Sequence, residues 1–141
     1  MTSRHTPSAS AACYSPTRSE RRFASLINGA RSATNLQLDP ELSKAAKVHT
    51  REMVRAATLY HTPTTTLKRR VTRWTTLGEN VGVGGTVTTL HAAFMGSSAH
   101  RSNILYTGFR HVGIGTAKSG GRLWVTVIFE ARTDPGSPLC N

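Results

Sequence analysis

Acidic side chains are scarce in this sequence. Seven Asp and Glu stand against 18 Lys and Arg, a formal net charge of +11. So basic a balance attracts polyanions: nucleic acid, anionic lipid head groups or acidic wall polymers. It is also an ordinary way to keep a secreted surface soluble. Aromatic residues are few, at 6%. No tract interleaves them with arginine to stack bases, which argues against specific nucleic-acid recognition. Long apolar runs are missing as well. Nothing approaches the roughly 18 consecutive apolar residues of a transmembrane helix. Only two cysteines occur, Cys13 and Cys140. Without a Cys-x-x-Cys or Cys/His ligand spacing they make no zinc–cysteine site.

A chain of 141 residues reads most simply as one domain and buries roughly two-thirds of its unfolded surface. Residues 1–16 are rich in Ser, Thr, Ala and Pro and read as a flexible arm, residues 17–133 as the folded domain, and 134–141 as a tail. The termini of a domain often lie close together. A Cys13–Cys140 disulfide is therefore expected to tie the tail back, worth on the order of 4–5 kcal/mol in the chain-entropy model. Such a bridge belongs to an oxidising compartment. Met1 to Ala12 lacks the apolar core of a signal peptide, so the expectation is a secreted chain whose signal has been removed.

Thr17-Arg18-Ser19-Glu20 is a capping-box pattern. Phe23, Leu26, Ile27 and Ala30 follow on one helical face, predicting a helix over 17–33. Asp39-Pro40 starts a second helix, to about residue 57, with Leu42, Ala45, Ala46, His49 and Met53 on one face. His49 on that stripe is expected to be packed and hydrogen-bonded, not a ligand. Asn35 to Leu38 reads as a connector, and a helical turn is expected at 66–73. Glu79 to Val81 reads as a short strand or loop and Gly82 to Gly85 as a tight turn. The glycines lack the Lys-Ser/Thr of a phosphate-binding loop. Thr86 or Thr88 caps a third helix, and Ser98 a fourth over 98–105. Two strands follow at 109–117 and 123–131, with Ser119-Gly120-Gly121 as their hairpin turn. The second strand is apolar on both faces and must be covered on both. The fold class is α/β: a three-layer α/β/α sandwich around a small, mainly antiparallel sheet.

Three ionisable groups stand at element edges: His61, beside a helix-terminating proline, Glu79 and His100. Two imidazoles and a carboxylate suit an open Zn²⁺ site with one position left for water. The same three could equally be a hydrogen-bond network stapling loops together. Ser97 lies one helical turn before His100, and Glu79 could orient that ring as in a Ser–His nucleophile. No Gly-x-Ser-x-Gly elbow accompanies it. Arg101 is expected to bridge a carboxylate and Asn103 to bond backbone. Tyr60, Trp74 and Trp124 are candidates for lining a groove or for core.

Several pieces recur in order: Phe23-x-x-Leu26-Ile27-Asn28-x-x-Arg31, Leu38-x-x-x-Leu42 with Ala46, His49-x-x-x-Met53 and Leu59-x-His61-Thr62. Gly78-Glu79-Asn80-Val81-Gly82 follows, then Ser97-x-x-His100-Arg101-x-Asn103-Ile104-Leu105, Gly113-Ile114-Gly115 and Trp124-Val125-Thr126. Together they resemble the bacterial variant of the CAP superfamily, or SCP/TAPS domain, over about residues 20–131. The resemblance implies a cleft lined by two histidines and two acidic residues, the histidine pair able to hold a divalent ion such as Zn²⁺. His61, Glu79 and His100 match three of these positions. At the fourth, Phe94-Met95-Gly96-Ser97 replaces Trp-x-x-Glu. Ser97 then lines the cleft where an acid would stand, which weakens paired-carboxylate catalysis. Family members are linked to lipid or protein partners and in isolated cases to proteolysis. Three readings follow: a secreted, non-enzymatic binding module for a lipid-like or cell-envelope ligand, drawn to anionic surfaces; a metal-dependent hydrolase with His61 and His100 holding metal and Glu79 as general base; or a structural network with function on surface loops.

Overall fold

A computed structural model describes residues 15–132. The expected arm (save residues 15 and 16), the tail and the Cys13–Cys140 bridge lie outside the described residues. In order, the elements are α1 (Arg18–Ala30), β1 (Gln37–Leu38), α2 (Pro40–Ala56), α3 (Thr64–Arg70), β2 (Thr76–Gly84), α4 (Val87–Met95), α5 (Ser98–Leu105), β3 (His111–Ser119) and β4 (Arg122–Ala131). The sheet order is β1-β3-β4-β2. β1 runs parallel to β3, and β4 pairs antiparallel with both β3 and β2.

β4 shows why the sandwich has three layers. Its side chains alternate between the two faces. Leu123, Val125, Val127 and Phe129 join a core with Phe23 and Ile27 of α1, Leu90 and Phe94 of α4, and Ile104 of α5. Ile128 packs instead with Leu42, Ala45 and Ala46 of α2 and Leu67 of α3, and Trp124 with Met53. Each fully buried large apolar side chain contributes roughly 1.5–3 kcal/mol, so both faces of one strand drive the packing. α2 lies closest to the sheet where β3 carries glycine. A Cβ on Gly113 would collide with the backbone of Leu42 and Ser43, and one on Gly115 with the backbone of Ala46 and Lys47. Thr50 fastens this contact, its hydroxyl donating to the Gly115 carbonyl at 2.8 Å.

The helix starts follow their caps. Thr17 and Glu20 form the capping box, Asp39 accepts from the Leu42 amide, and Thr86, not Thr88, caps α4. α1 stops at Ala30, three residues short of expectation. Arg31 turns extended there, and its guanidinium donates to the carbonyls of Thr34, Ile104, Tyr106 and Phe109. Asn35–Leu38 is not wholly connector, because Gln37 and Leu38 pair with His111 and Val112. The helical turn expected at 66–73 begins two residues earlier, with Pro63 at its N-cap, and ends at Arg70.

The main correction concerns the glycines after Glu79. Gly82 and Gly84 form no turn: they pair with Val125 and Leu123 inside a nine-residue strand. Glycine is needed because α4 lies against the strand. A Cβ on Gly82 would meet the Phe94 ring at 3.0 Å, and one on Gly84 would meet Leu90 at 3.0 Å. The tight turn is Gly120-Gly121, with φ of +60° and +74°. That two-residue, positive-φ connection matches the twist of a β-hairpin.

Candidate functional site

Gly78-Glu79-Asn80 lies on the edge strand β2, and successive residues there face opposite layers. Glu79 pairs in register with Ile128 and shares its face. Its carboxylate reaches the segment between α2 and α3. Oε1 accepts from His61 Nδ1 at 2.8 Å and from the Thr62 amide at 2.9 Å, and Oε2 from the Thr62 hydroxyl at 2.6 Å. Asn80 faces the other layer and donates to the His100 carbonyl at 3.0 Å, while Asn103 donates to the Asn80 side-chain oxygen at 2.9 Å. Gly78 leaves room for this bracket, since a Cβ there would meet Asn103 Oδ1 at 2.7 Å. Three consecutive residues thus hold the His61 segment on one side and the His100 helix on the other.

The two rings are oriented by different partners. A carboxylate only accepts, so His61 Nδ1 carries the hydrogen and, in the neutral ring, Nε2 carries the lone pair. The His61 side chain is 62% exposed, whereas that of Glu79 is only 6% exposed. His100 Nδ1 meets the Ser97 hydroxyl at 3.0 Å, and the ring packs on Phe94 with centroids 5.1 Å apart. Burial, and secondarily the nearby His61, lower the pKa of His100. His100 is therefore neutral and able to donate a lone pair at pH 7, and the effect of His61 on it places the two imidazoles in one electrostatic neighbourhood.

This geometry tests the expected roles. Glu79 orients His61 and does not bond His100, so Ser97, His100 and Glu79 form no nucleophilic triad. Ser97, not Ser98, occupies the N-cap of α5, and its hydroxyl makes no capping bond to the backbone. Among the described residues no group of three or more His, Cys, Asp or Glu could hold a metal ion. A metal here would rest on the Nε2 atoms of His61 and His100, each ring backed at Nδ1 by an oxygen. That backing is the usual outer-shell support of a metal-binding histidine. Two imidazoles are a donor chemistry that suits a divalent cation such as Zn²⁺.

Beside His61 lies a cavity of about 370 Å³ walled by Leu67, Trp74 and Leu77 and edged by Thr64 and Lys68. Lys68 Nζ stands 5.5 Å from the centre of the Trp74 ring. Of the three aromatics considered, Trp74 lines this cavity, Tyr60 is exposed and lines a different hollow, and Trp124 is core. His49 is fully buried, bonded to Glu52 at 3.2 Å and to the Tyr60 carbonyl at 2.6 Å. Arg101 is exposed and bridges no carboxylate among the described residues. Sequence reasoning missed Thr62 and Asn80 as organisers; their adjacency to His61 and Glu79 was the available signal. It also missed a buried ionic cluster at the C-terminal end of β4. There Arg132 pairs with Asp39 and, at 3.0 Å, with Glu130.

Comparison with known proteins agrees with this architecture. The model of the cysteine-rich secretory protein family, CAP, matches residues 24–129. An uncharacterised Bacillus subtilis protein, YkwD, is 31% identical over 115 residues, spanning 74% of this chain and 44% of that protein. An extracellular SCP-domain protein of Bacillus anthracis superposes with a TM-score of 0.72 at 21% identity, over 81% of this chain and 40% of that one. An outer surface protein of Borrelia burgdorferi superposes with a TM-score of 0.69 at 18% identity, over 80% of this chain and 89% of that one. The chain thus spans less than half the length of both Bacillus proteins. Among the described residues no helix is long and apolar enough to cross a membrane.

Proposed function

The chain belongs to the cysteine-rich secretory protein (CAP) family, and from that premise we propose that it is an extracellular binding module whose cleft takes a lipid-like or cell-envelope ligand. Its extracellular placement is supported by the extracellular Bacillus anthracis relative and the Borrelia outer surface protein. The observation that carries the reading is the condition of Glu79. Both carboxylate oxygens are bonded and the side chain is nearly buried. A general base must reach the proton it takes, and this carboxylate is directed at His61 and Thr62. The alternative of a metal-dependent hydrolase with Glu79 as base is correspondingly weaker.

What remains accessible suits recognition. The apolar walls of Trp74, Leu67 and Leu77 offer a hydrophobic surface, and Lys68 and His61 a polar rim. A concave, mainly apolar pocket with few polar groups is the usual form of a small-ligand site. His61 and His100 would hold a divalent cation such as Zn²⁺ through Nε2. Bound there, the cation supplies an electrophilic anchor for a ligand's anionic head. The charge of +11 draws the domain to anionic surfaces, an attraction that weakens as salt rises. Calorimetric titration with a medium-chain fatty acid tests the proposal. Saturable binding that Trp74→Ala weakens about tenfold is expected; no saturable binding, or an unchanged Trp74→Ala curve, overturns it.

A further inference from the structure

A second hollow lies on the other side of the Tyr60–Thr64 segment. It has a volume of about 420 Å³ and is formed by Glu52 and Arg55 of α2, Tyr60, Pro63, and Thr66 and Arg70 of α3. It shares no lining residue with the His61 cavity. We propose that this hollow is a separate binding site for an oxyanion of the phosphate class, with Arg55 as its principal contact.

The charge arrangement carries the argument. Arg70 forks onto Glu52, with Nη1 to Oε1 at 3.3 Å and Nη2 to Oε2 at 2.8 Å. The buried ring of His49 adds a third contact to Glu52 at 3.2 Å. The hollow's one carboxylate is therefore engaged, and the Arg70 pair lowers its pKa, keeping it ionised and in place. Arg55 is the surplus cation. It is exposed and has no acidic partner among the described residues. An unpaired guanidinium in a concave wall presents a planar fork that matches phosphate geometry. The hydroxyl of Thr66 adds a donor to the same lining, while Tyr60 and Pro63 supply apolar walls. The space exceeds a bare phosphate and admits the first apolar atoms of the molecule carrying it.

The floor is fixed. His49 is fully buried and packs edge-on against Tyr60, with ring centroids 4.9 Å apart. Its Nε2 bonds the Tyr60 carbonyl at 2.6 Å. The segment dividing the two hollows is thus held by His49 from one side and by Glu79, through His61 and Thr62, from the other. A preformed site of this kind loses little conformational freedom on binding.

Amide chemical shifts test the proposal during titration of the whole chain with inorganic phosphate, and separately with phosphatidylcholine vesicles with and without an anionic phospholipid. Saturable shifts centred on Arg55, Ala56, Tyr60 and Thr66 are expected. Arg55→Gln should weaken the effect about tenfold, and His100→Ala, which removes a ring that touches Ser97 and Phe94 and no residue of this hollow, should leave it within about twofold, which separates this site from the histidine cleft. Free phosphate producing the shifts identifies a soluble ligand; anionic vesicles alone producing them identify a lipid head group. Shifts spread without saturation over the basic surface, an unchanged Arg55→Gln curve, or no response to either probe overturns the assignment.

Discussion

His61 and Glu79 meet at 2.8 Å, and this one contact decides which ring nitrogen is available to the cleft. With Nδ1 donating to the carboxylate, Nε2 is left to accept or ligate. Removing the carboxylate should therefore loosen the ring without unfolding the domain. We expect Glu79→Ala to weaken Zn²⁺ binding about 10–100-fold, the usual cost of losing an outer-shell partner. It should also lower stability by about 1–3 kcal/mol through the unpaired Thr62 donors. Calorimetric titration and denaturant unfolding read the two effects separately.

Removal of His61 should be felt by its neighbour. The pKa of His100 is lowered by burial and then by His61. In His61→Ala the second cause disappears while burial remains. The His100 pKa is expected to rise, yet to stay below the ordinary histidine value, as followed by the ring proton resonances against pH.

Glycines predict opposite outcomes according to what faces them. Gly78→Ala drives a Cβ to within 2.7 Å of Asn103 Oδ1 and should cost about 1–3 kcal/mol as an overpacked contact. Gly29 lies in α1 with nothing within 4 Å of a built Cβ. Gly29→Ala should stabilise by roughly 0.5–1 kcal/mol, the helix preference of alanine over glycine. Urea unfolding of the pair checks both signs.

The buried end of β4 gives a pH prediction. Burial raises the Glu130 pKa from 4.5 to about 7, outweighing Arg132 beside it. The unfolded chain releases this proton near pH 4.5 while the folded chain keeps it until about pH 7. Glu130 thus contributes stability that is fully present below pH 4.5 and lost as pH rises to about 7. By linkage the difference is about 3 kcal/mol. His100 and His111, both with lowered pKa, act oppositely, losing stability as pH falls below about 6.5. The contribution is isolated by comparing unfolding free energies of wild type and Glu130→Gln between pH 4.5 and 7: the gap between them should change by that amount.

Local signals were legible in the sequence wherever they are self-contained. The Thr17–Glu20 box, the Asp39-Pro40 helix start and the Gly120-Gly121 hairpin depend on neighbours in the chain, and each occurs as read. The resemblance pointed to His61, Glu79 and His100, two of which are bonded to each other. Gly82 and Gly84 were misread because their reason is tertiary: they make room for Phe94 and Leu90 of a helix not yet placed. β1 was missed because two residues carry no periodicity, and their pairing with His111 and Val112 is long-range. The division of labour within Gly78-Glu79-Asn80 was hidden likewise, because which face each side chain takes depends on register with β4.

The central proposal is that His61 and His100 together hold one divalent cation through Nε2. Calorimetric Zn²⁺ titration at pH 7.5 and 5.5 tests it most directly, on wild type and on the His61→Ala/His100→Ala variant. We predict binding of one equivalent by wild type at pH 7.5, its loss at pH 5.5 as the imidazoles protonate, and none by the double variant. Absence of binding at pH 7.5, or equal binding by the double variant, would contradict the account.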